Sequence, residues 1–179
     1  MPGKYHPFLR ILHWIMALLV ISMIALGWTM EYLEDVIGKN NPTRLFLYDL
    51  HKSLGVIVII LVAVRVITRL MTAVPPLPQT IHPMIKVAAK VSHFALYALM
   101  VATPLVGYAM SDSFGKGVKL FDLPLPKFLP DNKVLGKTLA DLHELFAYTL
   151  LALIVVHVAA AIRHRFFDKP ENDVLKQIV

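Results

Sequence analysis

Two histidines interrupt a long apolar stretch in the last quarter of the sequence, and their spacing suggests a chemical role. His143 and His157 are fourteen residues apart within Asp141–Arg163. In an α-helix, fourteen residues return a side chain to within about 40° of its starting direction and advance it by about 21 Å. The two imidazoles would then face the same neighbouring helices, one near each end of a membrane-spanning helix. Imidazole is a common nitrogen ligand of metal ions, including haem iron.

The same spacing recurs in three other apolar stretches, where it relates His13 to Gly27, His51 to Arg65 and His93 to Gly107. If successive helices alternate in direction, these positions fall on two levels. The inner level holds His13, Arg65, His93 and His157, and the outer level holds Gly27, His51, Gly107 and His143. A glycine leaves space where a wide planar ligand lies against a backbone, and Gly55, one turn after His51, adds to that space.

The elements that must position these residues are membrane helices. Of the 179 residues, 57% are hydrophobic and 17% are charged, whereas soluble proteins are about 25% charged. Four apolar stretches are long enough to cross a hydrocarbon core of about 30 Å as helices. They are Phe8–Met30, Leu50–Met71, Val87–Met110 and Asp141–Arg163. The sequence therefore predicts an all-α integral membrane four-helix bundle, formed as one membrane domain over residues 1–179 in a lipid bilayer.

Charge and composition indicate the orientation and exclude some sites. We interpret the first apolar stretch as a retained helix, because it is too long for the apolar part of a signal peptide. With the N-terminus inside, the inner side carries ten basic and three acidic residues, and the outer side carries eight basic and nine acidic residues. The positive-inside rule then places both termini in the cytoplasm. A basic inner flank accounts for the net charge of +6, so we expect no nucleic-acid partner. The absence of cysteine excludes disulfides, thiolate metal sites and thioether-attached haem.

Two opposed imidazoles on one haem iron leave no open coordination position, so such a haem transfers electrons rather than binding oxygen. Arg65 and Arg69, one turn apart, are candidates for pairing with buried haem propionates, and Lys52 is a candidate on the outer side. Simpler interpretations remain open. The histidines can be interfacial residues, the glycines can serve helix packing, and the two arginines can be anchors at the inner membrane surface. His13 and His93 also compete for the inner level.

Taken together, these residues resemble the bacterial dihaem cytochromes b of the cytochrome b-561 type, which are related to the b subunits of nickel-iron hydrogenases and formate dehydrogenases. The resemblance is carried by His13-Trp14, His51 with Ser53 and Gly55, Arg65 and Arg69, His93, Pro104 and Gly107, and His143-Glu144 with His157 and His164. It implies two haem b groups, an outer one ligated by His51 and His143 and an inner one ligated by His13 and His157. It leaves His93 without an iron, which makes His93 and His164 candidates for a quinone site.

The resemblance also implies a function in the bacterial inner (plasma) membrane. We expect electron transfer between an extracytoplasmic donor and membrane ubiquinone, with superoxide as the preferred donor and hence a superoxide:ubiquinone oxidoreductase. The alternative is a haem b anchor subunit that passes electrons to or from a partner dehydrogenase or soluble cytochrome. A haem-free transporter whose histidines relay protons is a third class.

The last outer connection carries five lysines, Lys116, Lys119, Lys127, Lys133 and Lys137. They predict a cationic rim that attracts a small anion such as superoxide. A solvated loop and a docking patch for an acidic protein are the alternatives.

Overall fold

The computed structural model describes residues 3–179. Within that range the chain forms four long helices, a small β-hairpin and two short 3-10 helices. Their bounds are α1 Pro7–Ile37, α2 Pro42–Met71, α3 Pro83–Ser113, β1 Lys119–Leu120, β2 Leu123–Pro124, α4 Lys133–Phe166, and the 3-10 helices Pro170–Asn172 and Val174–Gln177. The end of the bundle that carries residues 114–132 is called the outer end. The opposite end, which carries residues 72–82 and 167–179, is called the inner end.

The predicted all-α four-helix bundle is confirmed, but every helix extends beyond its apolar stretch. α1 continues to Ile37 and α2 begins at Pro42, where the apolar pattern alone left a longer loop. The added turns begin at polar caps. His6 and His82 each accept a hydrogen bond from a backbone N–H two residues later, and each precedes a proline in the first turn. A proline there loses no hydrogen bond and is already in helical φ.

The four helices are long and apolar enough to cross a membrane. At 1.5 Å per residue, a helix of 30 residues is about 45 Å long, so its ends extend beyond a hydrocarbon core of about 30 Å. Only 6% of the most apolar window of α4 is buried inside the chain. The remaining apolar surface has no protein cover within the described residues, which is the pattern expected of helices that face lipid.

Each helix packs against the next one along the chain, with α1 on α2, α2 on α3 and α3 on α4. The buried centre is formed by side chains from three of them, namely Leu12, Met16, Val20, Val58, Val62 and Leu150. Pro104 lies inside α3, and the helix continues through it to Ser113. This core lies between the two histidine levels predicted from the sequence and separates them along the bundle axis.

A two-stranded hairpin covers the outer end of α2. β1 pairs with β2 in antiparallel register, and its turn needs left-handed backbone at Phe121, with φ 55°. Ser53, which is 1% exposed, fixes the hairpin to the helix. Its single hydroxyl proton is shared between the carbonyls of Asp49 and Lys119, at 3.0 Å and 3.1 Å, and its oxygen accepts from the backbone N–H of Phe121 at 2.8 Å. One buried hydroxyl therefore joins the outer connection to the turn of α2 that carries His51.

Residues 168–179 close the inner end. The backbone N–H of Tyr5 donates to the carbonyl of Gln177 at 3.0 Å, and the indole N–H of Trp14 donates to the carbonyl of Ile178 at 3.3 Å. The Gln177 amide donates to the carbonyl of Pro76 at 3.1 Å. This segment thus ties α1 to the α2–α3 connection beneath the bundle.

Two carboxylates hold the same segment in place. Hydrogen bonds from Asn172, from the backbone of Lys169 and from His164 lower the pKa of Asp168 to about 2. Burial alone would raise the pKa of Asp173, but hydrogen bonds from Arg165 and Lys176 outweigh it and lower the pKa overall. Both groups are therefore ionised at neutral pH.

Candidate functional site

Three histidines from three helices meet near the inner end. The ring centroids of His13 and His157 lie 6.3 Å apart, with ring planes inclined by 62°. His93 also lies beside His157, with ring centroids 5.4 Å apart. The indole of Trp14 stands edge-on to His13 at 5.3 Å. The helix directions thus bring His13, His93 and His157 together, and His157 has two imidazole neighbours.

Two histidines from α2 and α4 meet near the outer end. The ring centroids of His51 and His143 lie 6.2 Å apart, with ring planes inclined by 75°. The Nδ1 atom of His143 lies 2.9 Å from the carbonyl oxygen of Thr103, so Nδ1–H donates to it and Nε2 is left as a free lone pair. The Nδ1 atom of His51 is buried and has no hydrogen-bond partner among the described residues. Burying an imidazole nitrogen without a hydrogen-bond partner costs free energy, unless a metal ion or another polar group binds to that nitrogen.

The spacing of both pairs fits a shared metal ion. A bond between a metal ion and an imidazole nitrogen is about 2 Å long, and the ring centre lies about 1 Å beyond, so two imidazoles that share one ion have ring centres about 6 Å apart. The outer pair, at 6.2 Å, and the His13–His157 pair, at 6.3 Å, match this separation. The His93–His157 pair is shorter, at 5.4 Å.

Glycines stand opposite the outer histidines. A Cβ atom added to Gly107 would lie 2.9 Å from Cε1 of His143, a distance that Cβ atoms essentially never show. A Cβ atom on Gly27 would lie 4.0 Å from Cε1 of His51. The observed position of the His143 ring therefore requires glycine at position 107, whereas a Cβ atom at position 27 would not clash with the His51 ring. Gly55 faces Met23 and Pro104, each 3.7 Å from an added Cβ atom, and so lies at a packing contact with α1 and α3.

Arg65 supplies a buried positive charge at the inner level. It is 9% exposed, and its guanidinium donates to the hydroxyl of Tyr97 at 2.9 Å and to the carbonyl of Leu9 at 2.8 Å. No carboxylate of the described residues pairs with it. A buried cation with neutral partners alone is electrostatically suited to an added anion. Arg69 lies one turn further along α2, 5.7 Å from the centre of the Tyr5 ring.

His164 lies below the inner cluster and is 8% exposed. Its Nδ1 atom is 2.7 Å from a carboxylate oxygen of Asp168, which orients the ring and connects it to the inner segment. The structure therefore does not stack His164 on the other histidines. It places this side chain between the inner cluster and the aqueous carboxylates of residues 168–173.

Comparison with known proteins identifies the family. A sequence profile described as prokaryotic cytochrome b561 matches residues 4–178. The chain belongs to the prokaryotic cytochrome b561 family. It is therefore a haem b protein of the bacterial inner membrane that crosses the bilayer several times and transfers electrons across it, and the resemblance drawn from the sequence is confirmed.

Three relatives are similar to this chain over more than nine-tenths of their own length. Cytochrome b561 homolog 2 of Escherichia coli (strain K12) is 32% identical over 180 residues, covering 99% of this chain and 92% of that protein. A probable superoxide oxidase CybB of Yersinia pestis is 28% identical over 167 residues, covering 93% and 91%. Cytochrome b561 homolog 1 of Escherichia coli (strain K12) is 26% identical, covering 93% and 92%.

Several contacts around the two histidine levels of this b561 chain were not predicted from the sequence. Tyr97 bonds Arg65, and Tyr48 lies beside the outer histidine turn. A tyrosine in an apolar helix is interpreted as a lipid-facing or interfacial residue unless the hydrogen-bond partner of its hydroxyl is known. The contact between Trp14 and Ile178 joins residues 164 positions apart, and no local pattern indicates it. The mid-helix polar position of Ser53 was a usable signal, because a buried hydroxyl needs a partner.

Proposed function

We propose that this cytochrome b561 family member transfers electrons through two b haems, one at each end of the bundle. The observation that supports this proposal is the pair of matched imidazole separations, 6.3 Å for His13–His157 and 6.2 Å for His51–His143, at opposite ends of four spanning helices. Each haem would supply a reversible one-electron redox site, held by one pair of imidazoles. The protein would supply the ligands, the spacing between them and the apolar surroundings.

His13 is preferred to His93 as the partner of His157. Its ring separation matches that of the outer pair, and it lies beside Trp14, whose indole N–H is fixed by the inner segment. The buried guanidinium of Arg65 and the nearby guanidinium of Arg69 would neutralise the propionates of the inner haem. Without such partners those carboxylates would be unpaired charges in a medium of low dielectric.

His93 and His164 support a ubiquinone site near the inner haem. In this assignment His93 does not bind iron, and its ring centroid lies 5.4 Å from that of His157. Reduction of a quinone consumes protons, and a positioned imidazole can transfer them. His164, bonded to Asp168, would connect the buried cluster to the aqueous inner surface. The excess of basic residues at that end supports a cytoplasmic location for it and for both termini, by the positive-inside rule.

Superoxide is the proposed donor at the outer end. One relative bears the name probable superoxide oxidase, and the outer end carries the lysines that predict attraction of an anion. Lys116, Lys119 and Lys127 lie in the outer connection, whereas Lys133 and Lys137, predicted in the same loop, lie in the first turns of α4. The structure divides these lysines into two groups. Lys127 and Lys137 pair with Asp131 and Asp141, whereas no carboxylate of the described residues pairs with Lys116, Lys119 or Lys133.

Two measurements on purified protein test this proposal. Pyridine haemochrome analysis should give about two haems b per chain, and a reproducible value near one would reject one of the two sites. Stopped-flow mixing with superoxide and a short-chain ubiquinone should give haem reduction followed by quinone reduction, with a rate that falls as ionic strength rises. If the haem is reduced only after a partner dehydrogenase or soluble cytochrome is added, the protein is an anchor subunit and the proposed oxidoreductase function is rejected.

A further inference from the structure

A cationic pocket lies at the outer end, beside the helix turn that carries His51. It has a volume of about 350 Å³ and opens to the outer surface. It is lined by Arg44, Leu45, Tyr48, Asp49, Lys52, Lys116 and Lys119. Four of these seven residues are cations and one is an anion. A diatomic anion would fill a small part of this volume, and a larger anionic group would also fit.

The ring of Tyr48 forms the centre of the pocket. The Lys52 ammonium lies 4.9 Å from the ring centre, the Lys116 ammonium 5.0 Å and the Arg44 guanidinium 5.9 Å. A cation over an aromatic face gains stabilisation that grows as water is removed. The side chains of Arg44 and Lys52 are only 12% and 13% exposed. The pocket thus holds charged groups that have already lost most of their water.

The charges of the pocket are only partly balanced. Arg44 pairs with Glu34, and Lys52 pairs with Asp49 at 2.9 Å. Within the described residues no carboxylate pairs with Lys116 or Lys119. Two ammonium groups therefore converge on one pocket without a counter-charge, and a ligand with two carboxylates would balance them.

The pocket lies directly outside the outer imidazole pair. Lys52 follows His51, Tyr48 precedes it by three residues, and Arg44 precedes it by seven. Seven residues are almost two full helical turns, so Arg44 and His51 share one face of α2 and are about 10 Å apart along the axis. A haem bound at His51 carries two propionates, and these carboxylates avoid the hydrocarbon core by turning to the nearer aqueous end.

We propose that this pocket binds a pair of carboxylates, and that the two propionates of the outer haem are their source. This inference rests on the proposed outer haem at His51 and His143, and it names the residues that would neutralise its two propionates. With Lys116 and Lys119 paired in this way, Lys133 would be the lysine left to attract superoxide. Lys116 and Lys119 come from the outer connection, which Ser53 holds against α2. The outer connection would therefore be part of the haem site rather than a loose loop above it.

A chemical double-mutant cycle tests the contact. Haem is removed from the protein, which is then reconstituted with haem b or with the dimethyl ester of haem b, in which both carboxylates are blocked. The rate at which the outer haem transfers to apomyoglobin is then measured. With haem b, the double variant Lys116→Gln/Lys119→Gln should lose the outer haem roughly three- to tenfold faster than wild type, as expected for two exposed ion pairs. With the dimethyl ester, the same variant should lose it at nearly the wild-type rate. The matched control is Lys127→Gln/Lys137→Gln, which changes two paired lysines at the same end.

Three outcomes would overturn the inference. Equal effects of the lysine variant on haem b and on its dimethyl ester would show that these lysines do not contact the propionates. A control variant that loses haem as fast as the test variant would show a general effect of surface charge. Saturable binding of succinate to fully haem-loaded wild type, abolished in the test variant, would show that the pocket is open to dissolved dicarboxylates. A haem content of one per chain, unaffected by His51→Ala, would instead reject the proposed outer haem itself.

Discussion

The imidazole rings of His51 and His143 face each other across the outer half of the bundle, with centroids 6.2 Å apart and planes inclined by 75°. Because each ring would supply one axial bond, replacing either residue with alanine should remove the outer haem and leave the inner one. Haem content should fall from about two to about one per chain, with loss of one of two components in a redox titration. His82→Ala is the matched control, since His82 is an exposed helix cap, and it should retain both haems. Selective loss of the inner haem in a His51 variant would contradict the assignment.

The inner cluster allows a sharper comparison, because His13 and His93 flank the same ring of His157. His13→Ala should remove the inner haem. His93→Ala should retain both haems but slow quinone reduction by about tenfold or more, as expected for loss of a positioned proton donor. Haem content and the rate of ubiquinone reduction are measured on the same preparations. Retention of the inner haem in His13→Ala together with its loss in His93→Ala would exchange the two roles.

Gly107 and Gly27 form a matched pair for testing steric clearance at the outer level. An added Cβ atom at Gly107 would lie 2.9 Å from the His143 ring, whereas one at Gly27 would lie 4.0 Å from the His51 ring. Overpacking a well-packed site costs roughly 1–3 kcal/mol, so Gly107→Ala should weaken retention of the outer haem by about tenfold or more. Gly27→Ala should change it by much less. Haem transfer to apomyoglobin measures both, and a Gly107→Ala protein that holds its outer haem as firmly as wild type would show that the His143 ring can move without cost.

Much of this architecture follows from local patterns. Apolar stretches of about 20 residues and the fourteen-residue spacing of His143 and His157 predicted four helices and the inner and outer levels, because helix geometry is regular over that range. The helix ends were harder to predict from the sequence, because the caps at His6 and His82 lie outside the apolar stretches.

The remaining features depend on contacts between distant parts of the chain. The pocket around Tyr48 requires Lys116 from another segment, and the closed inner end requires the bond between Trp14 and Ile178. Such contacts are set by how the helices pack, which hydrophobic periodicity does not encode. A tyrosine and two lysines in a polar connection look the same in the sequence whether they are solvated or converge on one pocket.

The inner segment should loosen in acid. The pKa of Asp168 is held at about 2, below its ordinary value of 3.8, and the pKa of Asp173 is also lowered. A carboxyl group with a depressed pKa stabilises the folded form above its ordinary pKa, and this contribution is lost as the pH falls towards the folded pKa. Hydrogen exchange of peptides from residues 168–179, corrected for the intrinsic rate, should therefore increase between about pH 4 and pH 2.

Asp168→Asn should show faster exchange in that segment already at pH 6, because it removes the charged acceptor of His164 and Asn172. Peptides from the outer connection serve as the control. An equal increase in both regions on acidification would indicate general unfolding rather than release of the inner segment.

Both imidazole pairs draw one member from α4, the last of the four long helices to leave the ribosome. His13 and His51 are therefore translated well before His157 and His143, their proposed partners. The inner end closes later still, since Trp14 bonds to the carbonyl of Ile178, 164 positions away. Contacts of such long sequence separation form slowly. Under the proposed ligand pairs, neither haem would have both of its ligands until α4 has been translated, so a chain stalled before α4 should not retain haem.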